Sequence, residues 1–406
     1  MTIITHIGEL VGIVPEGVLR KQGAEMDEVG SLRDAYLTIE GERISGFGNM
    51  SECPVPGPQD EVIDAEGGMV IPAFCDSHTH ICYAGTREQE FIDKINGLSY
   101  EEIAARGGGI LNSADLLHRT SEEELYSQTM ARVREMIAKG TGAIEIKSGY
   151  GLTLEDELKM LRVIRRVKSD SPATIKATFL GAHAVGRAFK GRQNEYVNLV
   201  CEEMIPAVAA EGLAEYVDVF CDEGFFTVAE TDRILSAGEA YGLIPKIHAN
   251  ELACSGGVQV AVKHNALSVD HLERTTDAEI EALRDSRTMP TMLPGSSFFL
   301  GIPYGRAKEY VSAGLGLALA SDYNPGSSPS GDMRFVMALG CIRMRLTPAQ
   351  AFNACTLNSA DVLHVLDFHR TLLDSRLRLH RDDGLLSGWL HYDAVGMTAP
   401  EHFRLL

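Results

Sequence analysis

Two histidines one residue apart give the first sign of chemistry in this sequence. His78 and His80 follow a short apolar run, at the end of which the chain reads DSHTH over residues 76–80. Alternate side chains of an extended chain point to the same side, so both imidazoles can face one point. Neutral imidazole is a good ligand for zinc or iron, and a carboxylate can complete such a set. Alone, however, an H-x-H pair is a weak signal for a metal site.

Further residues able to do chemistry stand at the ends of other apolar runs, and they are Tyr150, His183, His248, Glu251, His271 and Asp322. Together, His78, His80, His248 and Asp322 supply three nitrogens and one oxygen, which leaves room for water on a bound metal ion. A metal can lower the pKa of its bound water from about 15.7 towards ~7 and so supply hydroxide at neutral pH. Packing alone does not account for so many polar residues at strand ends.

Glu251 lies three residues after His248, and this spacing leaves two interpretations open. On a continuing strand the two side chains would face opposite sides, so Glu251 reaches the site only if the chain turns after His248. A carboxylate beside the metal-bound water could then shuttle a proton. The alternative is a solvated acid in a loop.

Eight apolar runs are candidates for the strands that position these side chains. They alternate with amphipathic stretches and cover residues 71–77, 143–147, 174–180, 216–221, 244–248, 266–270, 289–293 and 315–321. In one stretch, apolar residues recur at the spacing of a helical face, at Leu154, Leu158, Leu161, Ile164 and Val167. The alternation predicts a (β/α)8 barrel, whose active site forms at the C-terminal ends of the strands. Before it, residues 35–39 and 43–47 predict a hairpin.

Composition argues against several classes of protein. The chain has 37 Lys and Arg against 57 Asp and Glu, a net charge of −20, which disfavours nucleic acid and anionic membranes as partners. Its eight cysteines include no C-x-x-C pair, which is typical of reduced thiols in a cytosolic protein. We expect no signal peptide, because residues 1–15 have no basic region followed by an apolar core, and no membrane span, because no run of 18 apolar residues occurs.

The combined motifs resemble the imidazolonepropionase family of the amidohydrolase superfamily. The likeness to the superfamily lies in DSHTH, in the H-x-x-E of His248 and Glu251, and in His271 and Asp322. The narrower likeness lies in YAGTR at 83–87, EIKSGYG at 145–151, FLGAHAV at 179–185 and DYNPGSS at 322–328. It extends from about residue 7 to residue 360.

This resemblance implies a fold and a reaction. The fold is a (β/α)8 TIM-like barrel with a small β-sandwich domain built from the N- and C-terminal segments. Residues 1–70 would be the first part of the small domain, 71–360 the barrel and 361–406 the C-terminal segment. The reaction is the hydrolysis of 4-imidazolone-5-propanoate to N-formimino-L-glutamate in histidine degradation, with one zinc or iron ion. A cytoplasmic homodimer is expected.

The resemblance also assigns roles to residues. His78, His80, His248 and Asp322 would hold the metal. Glu251 would handle the ring proton, His271 would orient the attacking water or stabilise developing charge, and Asp322 could also take the proton of the water. Arg87 would bind the propionate, since guanidinium pairs with carboxylate through two hydrogen bonds. His183 would hydrogen-bond the ring carbonyl, and the pocket would be completed by Tyr100, Tyr150, Asn324, Gly326 and Ser327.

The sequence departs from the family pattern at two places. Pro72-Ala73 stands where the family has Pro-Gly, which we expect to matter little. More importantly, residues 361–406 lack the family's closing strand motif and contain five histidines, five arginines and no lysine. A frame change near codon 361 or divergence of a tolerant appendage would each explain this tail. A foreign tail would leave the N-terminal strands with exposed edges and lower the stability.

Two other functions compete with the one the resemblance implies. A deaminase of the same superfamily, acting on a purine, pyrimidine or related ring, would share the metal ligands, Glu251 and His271. Arg87 with Tyr150 and His183 favours a substrate that carries a carboxylate over such a neutral base. A non-catalytic scaffold is disfavoured because all four ligands are present. Lys147 is interpreted as a structural lysine and not as a carbamylated metal ligand.

Overall fold

The computed structural model describes residues 1–41, 43–98 and 108–365, and the backbone of residues 381–382 and 385–386. Its largest sheet has eight parallel strands, each hydrogen-bonded to the next in chain order. These strands are β6 (Phe74–Asp76), β7 (Thr141–Lys147), β8 (Thr174–Ala182), β9 (Tyr216–Cys221), β10 (Ile244–Ala249), β11 (Ser268–His271), β12 (Met289–Met292) and β13 (Ala318–Leu319). All eight overlap the predicted strands.

The sheet closes just beyond its first and last strands. Thr79 and Tyr323 form a parallel bridge there, and the N–H of His80 donates to the carbonyl of Tyr323 at 2.9 Å. The N–H of Asp322 likewise donates to the carbonyl of His78 at 3.0 Å. The predicted (β/α)8 barrel is therefore confirmed, and the segments that close it carry three of the four predicted metal ligands.

The helices of the described residues connect and cover these strands. They are α1 (Glu88–Ile95), α2 (Ile110–Arg119), α3 (Glu122–Ala138), α4 (Leu154–Asp170), α5 (Gln193–Leu199), α6 (Ile205–Glu211), α7 (Val228–Ala240), α8 (Gly257–Lys263), α9 (Asp277–Arg284), α10 (Pro294–Leu300), α11 (Ala307–Ser312), α12 (Met333–Ile342), α13 (Pro348–Cys355) and α14 (Leu357–Val362). The predicted helical face belongs to α4, whose Leu158, Leu161, Ile164 and Val167 are buried. Thr153 caps this helix by accepting a hydrogen bond from the N–H of Asp156.

A separate sheet of five strands precedes the barrel. It contains β1 (Thr2–Ile13), β2 (Gly30–Glu40), β3 (Arg43–Asn49), β4 (Glu61–Asp64) and β5 (Met69–Val70). Its order is β3-β2-β1-β4, with β5 also paired to β1. The antiparallel pairing of β2 with β3 confirms the predicted hairpin. Most of the predicted C-terminal contribution lies outside the described residues; in its described part, β14 (Arg381–Asp382) and β15 (Leu385–Leu386) pair with each other.

Side-chain amides of the last barrel helices fix the segment between β1 and β2 to the barrel. Asn353 donates to the carbonyls of Met26 and Glu28 at 2.8 and 3.0 Å, and Asn358 donates to that of Lys21 at 3.0 Å. One continuous apolar cluster runs from Ile4 in the first sheet to the barrel helices. All eight cysteines are free thiols. Within the described ranges, no helix is long and apolar enough to cross a membrane.

Candidate active site

The four predicted metal ligands lie together at the C-terminal end of the barrel, and all four are buried. Nε2 of His80 lies 3.3 Å from Nε2 of His78 and 3.3 Å from Nε2 of His248. Oδ1 of Asp322 lies 3.6 Å from Nε2 of His78 and 3.5 Å from Nε2 of His80. We refer to these four residues as the ligand group.

Two imidazoles of the ligand group are oriented by carboxylates. Nδ1 of His78 lies 2.6 Å from Oδ2 of Asp270, and Nδ1 of His248 lies 2.9 Å from Oδ2 of Asp218. A proton on Nδ1 leaves the lone pair of Nε2 free to bind a metal. Burial, followed by nearby positive groups, lowers the pKa of His78 well below its ordinary value. This ring is therefore neutral, as a metal ligand must be.

The ligand group fits a metal ion. Three imidazole nitrogens and a carboxylate oxygen that lie this close together are suited to surround a cation. Ligand atoms 2.0–2.1 Å from a tetrahedral zinc ion are about 3.3–3.4 Å apart, which matches the two nitrogen–nitrogen separations. Nδ1 of His80 has no hydrogen-bond partner among the described residues, so no such bond fixes the ring on the side away from the ligand group. Three nitrogens and one carboxylate oxygen suit zinc or iron.

His271 borders the same centre but is better suited to donate a hydrogen bond. Its ligand atom lies within 4.8 Å of those of His78 and His248. Its own Nδ1 lies 3.4 Å from Oε2 of Glu273, and its Nε2 lies 3.8 Å from Oε2 of Glu251. Burial lowers the pKa of His271, but these carboxylates together outweigh burial and raise the pKa well above its ordinary value. A protonated imidazole has no lone pair for a metal.

Glu251 enters the site because the chain turns directly after β10. Asn250 has φ of +62°, in the left-handed region that asparagine adopts more readily than most residues. The turn brings the Glu251 carboxylate to His271 and leaves its side chain 14% exposed. Burial raises the pKa of Glu251 to about 7. Its position matches the first of the two interpretations and not the solvated loop acid.

Strained backbone also occurs at other residues of the site. His271, Leu272 and Asp322 have φ of +87°, +67° and +53°. Each such non-glycine residue costs roughly 1–3 kcal/mol and persists only where its surroundings impose the conformation. The surroundings of Asp322 include Ser296 and Ser327, whose hydroxyls both donate to Oδ2. This leaves Oδ1 directed at the imidazoles of the ligand group.

A cluster of aromatic side chains lies between the ligand group and Arg87. The imidazoles of His80 and His183 are stacked with centroids 5.0 Å apart, and the Tyr150 ring lies 5.3 Å from that of His183 and 6.0 Å from that of His80. The guanidinium of Arg87 lies 5.7 Å from the Tyr150 ring. Nε of Arg87 donates to Ser113 at 2.9 Å, whereas its buried Nη2 has no hydrogen-bond partner within the described ranges. A buried guanidinium nitrogen without a partner is suited to bind an anion.

The hydrogen bond of His183 revises its expected contact. Nδ1 lies 2.9 Å from the carbonyl of Gly149, which can only accept, so Nδ1 carries the proton. Burial lowers the pKa of His183 to about 3, so the ring is neutral. Its Nε2 is then an acceptor and fits a ring N–H. The predicted hydrogen bond to a ring carbonyl does not fit, because it needs a donor at this position.

Asn324, Gly326 and Ser327 lie beside Asp322, as predicted for the pocket. Oδ1 of Asn324 accepts from the N–H groups of Gly326 and Ser327, both at 2.8 Å. A Cβ on Gly326 would lie 2.1 Å from Nη1 of Arg87, so only glycine leaves room for the guanidinium. The loop therefore supports Asp322 and Arg87. Tyr100, also predicted for the pocket, lies outside the described residues.

Beneath the ligand group lies an ionic network that the sequence analysis missed, apart from Lys147. It consists of Lys147, Lys246, Glu145, Asp218 and Asp270, whose side chains are all fully buried. Nζ of Lys147 lies 2.8 Å from both Glu145 and Asp218, as expected for a structural lysine. The sequence did carry a signal for this network. Lys246 lies two positions before His248 on the same strand, so both side chains point to the same side of the sheet, into the barrel.

Three more residues around the site were missed. Phe220 places its ring 5.7 Å from that of His248 and 6.5 Å from that of His271, which makes it an apolar wall. Glu273 contacts His271, and Ser296 contacts Asp322. Phe220 carried a usable signal, because it is the second-last residue of the fourth predicted strand. Glu273 lies shortly after β11 and Ser296 lies in the first turn of α10, and the sequence alone does not distinguish these positions from others like them.

Comparison with known proteins places the chain among enzymes of one activity. It is 52% identical over 371 residues to imidazolonepropionase from Flavobacterium psychrophilum, covering 91% of this chain and 90% of that protein. It is 50% identical over 375 residues to imidazolonepropionase from Christiangramia forsetii, covering 92% and 91%. No family model matches the chain.

Solved structures support the fold. A triazine hydrolase variant matches with a TM-score of 0.71 at 15% identity, over 95% of this chain and 88% of that one. Atrazine chlorohydrolase from Arthrobacter aurescens TC1, solved in complex with zinc, matches with a TM-score of 0.64 at 13% identity, over 95% and 89%. At such low identity these likenesses bear on the fold alone, whereas the identity to the two relatives is far higher. The chain therefore belongs to the imidazolonepropionase family, on a barrel of the amidohydrolase type.

Proposed function

We propose that this protein hydrolyses 4-imidazolone-5-propanoate to N-formimino-L-glutamate, a ring-opening step of histidine degradation. Its relatives bear the name of that activity, and the solved structures that share its barrel include hydrolases. One observation carries the proposal. The buried rings of His183 and Tyr150 lie between the imidazoles of the ligand group and the Arg87 guanidinium, whose Nη2 has no partner among the described residues.

The ligand group would hold one zinc or iron ion, which would lower the pKa of water and polarise the amide carbonyl. Asp270 would keep His78 in the tautomer that the metal requires, and the Asp218 carboxylate lies beside Nδ1 of His248. Ser296 and Ser327 hold the second carboxylate oxygen of Asp322. His78 and Asp322 are thus oriented by protein groups before a substrate arrives.

Arg87 would bind the propionate and so orient the substrate. Ser113 occupies its Nε and Gly326 leaves room for its Nη1, so Nη2, without a partner in the described part of the chain, would be available to the substrate carboxylate. This local positive charge would overcome the net charge of −20, which opposes an anionic substrate at long range. His183 would accept a hydrogen bond from a ring N–H and so distinguish that edge of the heterocycle from the edge that carries the carbonyl.

Glu251 and His271 would carry out the proton transfers and charge stabilisation. A carboxylate with a pKa near 7 can take up and release a proton at neutral pH with little cost. The His271 imidazolium, held between Glu251 and Glu273, would donate to an oxygen on which negative charge develops. Asp322 could also take a proton from the attacking water.

The cellular setting is part of the same proposal. We expect a cytoplasmic homodimer that binds a small molecule and neither nucleic acid nor membrane. The free thiols of all eight cysteines and the acidic composition support this expectation. The division into residues 1–70, 71–360 and 361–406 likewise stays a prediction.

The test is a direct assay of ring opening with product identification. Metal-loaded protein should consume imidazolone propionate and give the formimino amino acid, which contains one added water, without release of ammonia. A deaminase would instead release ammonia from a purine or pyrimidine and leave its ring closed. Absence of turnover with imidazolone propionate by metal-loaded protein would contradict the proposal.

A further inference from the structure

A buried carboxylate outside the predicted site holds the loop that carries Glu251. Asp222 directly follows β9 and is 4% exposed. Its Oδ2 accepts hydrogen bonds from the N–H groups of Glu251 and Leu252 at 2.8 and 2.9 Å. Its Oδ1 accepts from the N–H of Ala253 at 3.0 Å. Three consecutive backbone donors thus surround one carboxylate, an arrangement typical of anion-binding backbone nests.

This arrangement accounts for the turn after β10. Had the strand continued, the Glu251 side chain would face away from His248. Instead, the left-handed conformation of Asn250 turns the chain away from the strand direction. The N–H groups of residues 251–253 then donate to the carboxylate of Asp222, just after the neighbouring strand β9. β9 and β10 pair in parallel up to Cys221 and Ala249, so Asp222 and the turn emerge side by side.

Asn250 provides a second attachment for the same loop. Its side-chain Nδ2 donates to the backbone carbonyl of Arg274 at 2.8 Å, and its backbone carbonyl accepts from the N–H of Arg274 at 2.7 Å. The loop is therefore held from the β9 side by Asp222 and from the β11 side by Arg274. Neither attachment touches the ligand group.

We propose that Asp222 is a positioning residue for Glu251, which sets the direction of its carboxylate toward His271 through the backbone of residues 251–253. Asp222 makes no contact with reacting atoms, and its effect on turnover passes through Glu251. The kinetic part of this inference rests on the proposed function, whereas the structural part does not.

The chain contains a matched control on a different loop. Glu157 in α4 is fully buried and accepts hydrogen bonds from the N–H groups of Gly149, Gly151 and Leu152 at 3.1, 2.8 and 2.9 Å. This second carboxylate holds the loop of Tyr150, on the substrate side of the site. The two carboxylates have the same bonding pattern, so substitutions in them should differ only in the loop that responds.

Amide hydrogen exchange tests the structural part without any assay of activity. Asp222→Asn keeps the shape but replaces an oxygen acceptor by a donor, so exchange at residues 251–253 should accelerate about 10- to 100-fold. Residues 149–152 should keep their protection. Glu157→Gln should give the reverse pattern. Unchanged exchange at residues 251–253 in Asp222→Asn would overturn the proposal.

A double-mutant cycle tests the kinetic part. Asp222→Asn should lower kcat while metal content and metal affinity stay as in the wild type. In a Glu251→Gln background it should change kcat by less than about threefold, since its effect passes through a residue already disabled. Fully multiplicative losses, or loss of the metal, would show a general structural role and overturn the proposal. A wild type that fails to open the ring would count against the proposed function, and the exchange result would still decide on Asp222.

A second variant covers the case in which Asp222→Asn does not fold. Asp222→Glu keeps the charge and both acceptor oxygens but displaces them by one methylene group. Faster exchange at residues 251–253, together with lower kcat and unchanged metal content, is the expected result. Protection and kcat equal to those of the wild type would mean that the position of this carboxylate does not set the loop, and would overturn the proposal.

Discussion

The ligand group and the ionic network are both buried clusters of polar side chains inside one barrel, but their charges are balanced differently. In the network, each lysine nitrogen lies within 2.8 Å of two acceptors, so positive and negative groups pair with each other. In the ligand group, nitrogen lone pairs and a carboxylate oxygen converge with no positive side chain among them. The difference separates a cluster that stabilises the fold from one that needs a cation.

The largest effect is expected from removing one ligand of the group. His80→Ala should abolish ring opening and lower metal affinity, because one of four donors is lost. His80 suits this test because its Nδ1 has no partner, in the part of the chain that the structure describes, that the substitution would leave unpaired. Turnover and metal content of the purified variant check it. Wild-type turnover would exclude His80 as a ligand.

Glu251→Gln should lower kcat by about 10²- to 10⁴-fold, the usual contribution of a positioned acid or base. The amide keeps the shape of the side chain but cannot carry the proton. Metal content should stay at the wild-type level, since Glu251 is outside the ligand group. A variant that retains full kcat would remove Glu251 from the mechanism.

Lys147→Met tests the other half of the comparison. Removing one partner of a buried ion pair leaves an uncompensated charge and should lower the free energy of unfolding by about 3–5 kcal/mol. The matched control is Lys139→Met, whose surface pair with Glu135 should contribute only about 0–1 kcal/mol. Urea denaturation measures both. Equal losses in the two variants would contradict the structural role of the network.

Arg87→Ala should raise KM for imidazolone propionate about 10- to 100-fold, because a hydrogen-bonded charge pair contributes roughly 1.5–3 kcal/mol. As a control, Arg187→Ala removes an arginine whose ion pair with Asp115 is half exposed, and KM should stay nearly unchanged. Steady-state kinetics separates KM from kcat in both variants. An unchanged KM in Arg87→Ala would count against the carboxylate-binding role.

The smallest effect concerns pH. Burial raises the pKa of Glu251 to about 7, and only the deprotonated form can accept a proton. We therefore expect kcat to rise as the pH increases through about 7 and then to level off. The residual kcat of Glu251→Gln should not show this rise with pH. A profile for the wild type that is flat across this range would contradict the assignment of Glu251 as the proton acceptor.

Sequence alone predicts the parts of this molecule whose signal is local. Apolar runs that end in a polar residue gave all eight barrel strands, and His78, His80, His248 and Asp322 were found because each marks such an end. The turn at Asn250 was less certain, since the spacing of His248 and Glu251 permits either a turn or a continuing strand.

Contacts between neighbouring strands explain what sequence reasoning missed. Asp222 ends a strand as plainly as His248 does, but its partners lie 29–31 residues further along the chain. Its role depends on the register of β9 against β10, which no local pattern specifies. The tautomer of His183 likewise depends on the carbonyl of Gly149, 34 residues away.

The N-terminal sheet shows the same limit at a larger scale. Its hairpin was predicted from a local turn, whereas the parallel pairing of β1 with β4 joins residues 59 positions apart and was not. The unusual composition of residues 361–406 was visible in the sequence, and the two explanations for it stay open. An intact-mass measurement of protein from its source organism would decide between them.

Metal titration of the metal-free protein tests the central claim most directly. The ligand group as described should bind a single zinc or iron ion, so ring-opening activity should be absent after chelation and should return in proportion to added metal. We predict saturation at about one equivalent per chain, the capacity of one set of four ligands. Activity that survives complete removal of metal, or recovery only at about two equivalents, would contradict the account.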